Sequence, residues 1–173
     1  MSTRSYQFSY SRLKLIAGLL FCGFLGNGWT QSDLSSLIEA WTDVSQPTEK
    51  RFKALNELHA EYHLNNPDTV LHFLEELRVL AEQLDHQTAL YSVYNRRGNI
   101  LRMQGLNTGA LQAFMDAEGV ARSMGDSSRL ASVYANRGNV HVQLNSYVDA
   151  TRHFSQALEI HRQRGDVKGQ RNM

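Results

Sequence analysis

The sequence predicts an all-α fold, and three observations carry that prediction. Apolar residues recur at spacings of three and four through most of the chain. One arrangement of Tyr, Gly, Ala and Phe is written twice, 40 residues apart. No alternating β-branched or aromatic runs flank an Asn-Gly or Asp-Gly turn, the mark of paired strands. With 173 residues, 42% apolar content and two prolines, the chain is long enough for one modest domain or a short repeat array.

The first 28 residues stand apart from that pattern. Arg4, Arg12 and Lys14 precede the 12-residue apolar run Leu15–Gly26, which is shorter than the ~20 residues a membrane-spanning helix needs. Small residues at Gly26 and Gly28 precede Trp29, so the segment reads as a signal peptide cut near Gly28. Cys22 is disfavoured as a lipidation site, because the bulky Phe21 precedes it and the apolar run continues beyond it. As the single cysteine, it leaves the exported part without a thiol for a disulfide or a metal. Of 18 basic residues three fall in this leader, and of 17 acidic residues none does, leaving 15 against 17. That balance lacks the basic footprint of a nucleic-acid binder.

Beyond the leader, Leu34, Leu37, Ile38 and Trp41 predict one amphipathic helix within residues 32–47, with Ser32 or Asp33 as cap and Pro47 as stop. Phe52, Leu55, Leu58 and Tyr62 mark a second helix from Thr48 to about Leu64, closed by a loop at Asn65-Asn66-Pro67-Asp68. A third carries Leu71, Leu74, Leu77 and Ala81 and runs to about Leu84. From there two kinds of joint are expected. Short loops around Gly105 and Asn145 close hairpins, whereas Gly125-Asp126 and Gly165-Asp166 separate them, with Gly in the left-handed C′ position and Asp capping the next helix. Asp85-His86 stands at the corresponding place without Gly, so a less sharply turned exit is expected there.

Gly98 interrupts a helical pattern, at an intrinsic cost of ~1 kcal/mol relative to Ala, and so asks for a packing reason. From Gly98, small and aromatic residues follow at offsets of 12, 16 and 19 as Ala110, Phe114 and Ala117. From Gly138 the same offsets give Ala150, Phe154 and Ala157, and Tyr94 and Tyr134 stand four residues before each Gly. Two antiparallel helices cross closely only where side chains are small, which places Gly98 and Ala110 at a crossing that Phe114 fills. This repeated grammar resembles the tetratricopeptide repeat in its longer form of about 40 residues. Counterparts in residues 48–86 are Ala54, Leu58, Val70, Leu74 and Leu77, a degenerate copy in which Leu58 for Gly implies a wider crossing. Full copies span 87–126 and 127–166, with their second helices expected to run on towards each Gly-Asp pair. Residues 167–173 begin a further copy, so a truncated reading frame is expected.

The resemblance implies a right-handed superhelix of antiparallel helix pairs whose first helices line a concave face. It places Ser92, Asn95, Asn99, Arg102 and Met103, then Ser132, Ala135, Asn139, Val142 and Gln143, on that face. An Asn amide both donates and accepts, and so can hold the backbone of an extended peptide. Arg102 can add a carboxylate contact. The alternative for these amides is bracing of the joint between repeats. Arg97 and Arg137 replace the usual apolar residue before each repeat Gly, their long stems covering apolar surface with the charge outside.

Enzymatic chemistry finds little footing. His59 and His63 lie four apart on one helix but not in the His-Glu-X-X-His order, and no third ligand is suggested, so no metal and no cofactor are expected. Glu75-Glu76 reads as a solvated face, Glu118 and Arg122 as an i,i+4 pair, and Tyr91, Tyr94 and Tyr134 as core rather than a stacking platform. Leader, apolar first helix and long repeats together resemble the exported sensor region of bacterial signalling proteins. That likeness implies a non-enzymatic scaffold in a Gram-negative periplasm, binding a protein or peptide and open to self-association. It would be tethered if a longer natural chain carries a membrane helix. A free-standing periplasmic assembly factor and a lipid- or small-ligand-binding helical protein are the alternatives.

Overall fold

The computed structural model describes residues 31–62, 67–163 and Gly165. The leader and its cleavage site, Asn65 and Asn66, Asp166 and the further copy from 167 on lie outside these residues. Seven helices and no strand occur among the described residues: α1 (Gln31–Thr42), α2 (Thr48–Tyr62), α3 (Pro67–Gln83), α4 (Gln87–Met103), α5 (Asn107–Ser123), α6 (Ser127–Gln143) and α7 (Tyr147–Gln163). The fold is all-α. Two compact units divide between Glu61 and Tyr62.

In the first unit α1 ends at Thr42, five residues before Pro47, because Asp43 builds a turn of its own. Its carboxylate accepts from Ser45 Oγ at 2.7 Å, Ser45 N at 2.9 Å and Gln46 Nε2 at 2.9 Å. Those bonds, with the Ser45 hydroxyl foremost, lower the Asp43 pKa to about 2. Arg51 of α2 then donates from Nε to the Trp41 carbonyl at 3.0 Å, and the Trp41 side chain is buried.

The second unit is built on one period. Its helices α3 to α7 are each 17 residues long and are separated by three residues, except beyond α7. Neighbours in sequence pack together, and α4 also touches α6. Helices joined so tightly and packed along their length run antiparallel. Pro67, expected in a loop, instead opens α3, where its missing N–H has no helical partner to lose.

The two expected kinds of joint prove to be one. Asp85, Gly105, Gly125, Asn145 and Gly165 all have positive φ, at 48°, 75°, 63°, 56° and 67°. After each of the first four, the next amide reaches back five residues: His86 to Ala81 at 2.8 Å, Leu106 to Leu101 at 2.9 Å, Asp126 to Ala121 at 3.0 Å and Ser146 to His141 at 2.9 Å. This is the Schellman closure, which satisfies carbonyls left open at a helix end. Asp85 therefore turns as sharply as Gly125, correcting the expectation of a looser exit. Asp and Asn tolerate the left-handed region through local polar contacts. Asp85 Oδ1 accepts from Gln87 Nε2 at 2.6 Å, and Asn145 Oδ1 from the Tyr147 hydroxyl at 3.0 Å. Because the joint closes at Met124, α5 stops at Ser123 instead of running towards Asp126.

The interior follows from the repeated residues. A Cβ placed on Gly98 would stand 2.6 Å from Phe114 Cε1, and one on Gly138 would stand 2.6 Å from Phe154 Cε1. Any other residue would have to push the ring aside, so glycine there serves closeness of approach. Phe114, Ala110, Ala117 and Ala121 form one buried cluster with Tyr91, Val133 and Val140. Ala131, Tyr134 and Ala157 form another, flanked by Ala135 and Ile160. Ala150 is buried as well, whereas the Phe154 ring keeps part of its surface in water.

Candidate functional site

The side chains expected to meet a partner lie on α4 and α6, and the structure brings only some of them together. Asn95 is half-buried and its Oδ1 accepts from Nδ2 of Asn136 at 2.9 Å, linking α4 to α6. Asn99, also half-buried, donates from Nδ2 to the Asn95 carbonyl at 3.0 Å. Asn95 is thus engaged in bracing, Asn99 keeps part of its amide, and Asn139 and Gln143 are exposed. Ser92 and Ser132 are exposed, yet each hydroxyl donates at 3.0 Å to a carbonyl one turn back, Thr88 and Ser128. Arg102 is half-buried, and Met103 and Val142 expose 78% and 43% of their surface, enough to give this polar row an apolar margin. Ala135 instead packs beside Tyr134 and Ala157.

A second link between α4 and α6 comes from Tyr91 and Arg129. The Tyr91 hydroxyl donates to the Arg129 carbonyl at 3.3 Å, and the Arg129 guanidinium lies 5.3 Å from the centre of the Tyr91 ring. Burial raises the Tyr91 pKa. Asp126 fixes the start of α6, accepting from Arg129 N at 3.0 Å and pairing with the Arg129 guanidinium. That backbone bond leads the groups that hold its carboxyl below the ordinary range.

The joints between hairpins carry networks of paired charges. Glu118 on α5 accepts from Arg122 Nη2 at 2.8 Å, from the Tyr134 hydroxyl at 3.1 Å and from Arg137 Nη1 at 2.5 Å. What looked like an i,i+4 surface pair is therefore the anchor of a network reaching into α6. Burial opposes its charge, but Arg122, Arg137 and Tyr134 outweigh that and lower its pKa. Arg137 has 19% of its side chain exposed, so its charge lies in the joint and not out in water. One period earlier the charges are exchanged, with Arg78 and Glu82 where Glu118 and Arg122 stand. There Arg78 pairs with Glu75 at 2.6 Å and Glu82 at 2.5 Å, while Arg97 lies 3.7 Å from Glu75. Glu75 is accordingly a partner in a joint, and its hydrogen bond from Arg78 leads the lowering of its pKa.

Beside that first joint is an open groove of ≈ 510 Å³ lined by Leu71, Glu75, Arg78, Tyr94, Arg97, Leu101 and Asp116. Tyr91 and Tyr134 are buried and Tyr94 is half-buried, so none of them forms a free stacking platform. His59 and His63 have side chains outside the described residues. Among the described residues no three His, Cys, Asp or Glu side chains gather to hold a metal ion, and no helix is long and apolar enough to cross a membrane. Neither a family model nor a curated protein matches the chain.

Sequence reasoning missed Asn136, the reach of Glu118 and the Tyr91–Arg129 contact. Asn136 carries no periodic signal, since its counterpart one period earlier is Arg96. The Glu118 network was findable, because aligning the two periods exposes the exchange of charge at positions 78 and 118.

Proposed function

We propose that this chain is a non-enzymatic interaction scaffold of the tetratricopeptide type, a right-handed solenoid of antiparallel helix pairs. In this reading it holds a protein or peptide partner along α4 and α6, as the exported sensory part of a bacterial signal-transduction protein. The observation that carries the repeat reading is the duplicated crossing, in which Gly98 and Gly138 each lie under a Phe ring at the same distance. A module that recurs with its crossing intact extends a surface instead of enclosing a pocket. Asn99, Arg102, Ser132, Asn139 and Gln143, with Met103 and Val142 beside them, supply that surface with donors, acceptors and apolar contact. Asn95 contributes by holding α4 and α6 together.

The test is site-specific photocrosslinking in the native host. A crosslinker at Asn139 or Gln143 should yield a discrete adduct, and one at Gln112, exposed on α5, should not. Equal labelling from all three positions, or none from α6, would overturn the assignment of the face. Asn139→Ala should shift stability by no more than about 0.5 kcal/mol, as for other surface sites. Asn136→Ala should cost about 1 kcal/mol, because it strands the half-buried Asn95 amide.

A further inference from the structure

Moved back by 40 residues, His141 and His153 fall on Leu101 and Ala113. In the α4–α5 hairpin those two places are apolar: Ala113 is buried, and Leu101 packs on the cluster that holds Phe114. In the α6–α7 hairpin two imidazoles occupy the same seam. The His153 ring lies 5.2 Å from that of His141 at an interplanar angle of 21°, and 6.2 Å from that of Tyr134 at 22°. His153 is only 4% exposed, a degree of burial that a charged imidazole pays for heavily unless it is paired.

The surroundings give a proton on His153 no such pairing. Its Nδ1 meets Gln156 Oε1 at 3.0 Å, which makes Nδ1 the protonated nitrogen of a neutral ring, and its Nε2 is buried without a hydrogen-bond partner. From α6 it faces Arg137, His141 and Tyr134; along α7 Arg152 acts on it, and Arg152 itself pairs with Asp149. Glu118 of α5 is committed to Arg137, Arg122 and Tyr134. Burial first, then the positive charge of Arg137 with that of Arg152 behind it, hold the His153 pKa below its ordinary value against the hydrogen bond to Gln156, which raises it.

We propose that His153, stacked on His141, is a proton-operated latch that seats α7 on α6 while its ring is neutral and loosens it when that ring takes up a proton. The proton comes from solvent and goes to the unprotonated Nε2 of His153, forming an imidazolium crowded by Arg137 and the His141 ring. Because the folded chain binds this proton less readily than the unfolded one, the stabilisation is complete above the unfolded value of ~6.5 and is lost as pH falls below it. The device acts on the last described hairpin, whose counterpart α4–α5 lacks both imidazoles. It stands independently of the partner-binding face.

The test uses the full chain at about pH 8 and about pH 5, on either side of the ordinary histidine range. Amide hydrogen exchange, corrected for its intrinsic pH dependence, should show α7 losing protection at the lower pH while α4 and α5 keep theirs. His141→Leu with His153→Ala, the pair that the α4–α5 hairpin carries, should abolish that difference. Retention of α7 protection by the natural chain, or an unchanged loss in the double variant, would overturn the latch. If the double variant does not fold, the imidazole Cε1–H resonances of the natural chain decide. A His153 titrating at or above ~6.5 sinks the proposal, and one titrating below it together with loss of α7 protection sustains it.

Discussion

Arg137 and Glu118 meet at 2.5 Å across the joint between α5 and α6, with 19% and 15% of their side chains left to solvent. One period earlier the same two places hold Arg97 and Arg78, and two guanidiniums cannot make that bond. Arg97 turns instead towards Glu75, 3.7 Å away, with about half of its side chain exposed. The later contact is consequently the drier of the two.

Glu118→Gln should therefore destabilise the chain by about 1–3 kcal/mol, since Arg137 would be left withdrawn from water without its carboxylate. A denaturant midpoint measured near neutral pH reads this directly. The folded carboxyl has a lowered pKa, so its contribution is present above the unfolded value of ~4.3 and is lost as pH falls through the folded value. The gap between variant and natural chain should close only in that acidic range, well below the window of the histidine latch. A gap that stays constant into strong acid would show that the charge of Glu118 is not what stabilises the joint.

Two glycines in helices should respond to alanine in opposite directions. At Gly98 a methyl would meet the fully buried Phe114 ring at 2.6 Å, and the ring has nowhere to retreat, so Gly98→Ala should cost about 1–3 kcal/mol. At Gly119, exposed on α5 with nothing within 4 Å, Gly119→Ala should instead stabilise by about 0.5–1 kcal/mol through the unfolded chain. Thermal melts of the two variants side by side check the pair, and a stabilising Gly98→Ala would mean that the crossing is looser than its geometry.

The joints offer a third comparison. Asp85→Gly and Asn145→Gly place glycine at positive φ and remove a steric cost, so each should stabilise by several tenths of a kcal/mol up to about 1 kcal/mol. Gly125→Ala, at a φ of 63°, should destabilise by about 1 kcal/mol. Denaturant midpoints of the three variants suffice, and destabilisation by Asp85→Gly would mean that its bond to Gln87 outweighs the strain.

Helical periodicity made α3 to α7 visible in the sequence, because a buried stripe must recur with the helical turn whatever it packs against. The crossings at Gly98 and Gly138 were equally legible, since an interior glycine is costly enough to demand a reason. The equivalence of Asp85 with Gly125 was hidden by residue type: left-handed geometry favours Gly without requiring it. Asn95 and Asn136 lie 41 residues apart and meet through side chains whose orientation only the packed helices decide. The imidazoles were legible in principle, as histidines standing where the other hairpin is apolar. Their significance depends on burial, which periodicity alone does not supply.

The identical three-residue joints also govern how this chain can change length. Each helix of α3 to α7 has 17 residues and each joint three, so a single residue inserted inside a helix turns everything after it by about 100°. Such an insertion would swing Phe154 away from Gly138, or point Glu118 into the wrong neighbour. Deletions and duplications of a whole hairpin leave every crossing and closure in phase. A whole hairpin is thus the unit by which this chain can lengthen or shorten without rotating one crossing against the next.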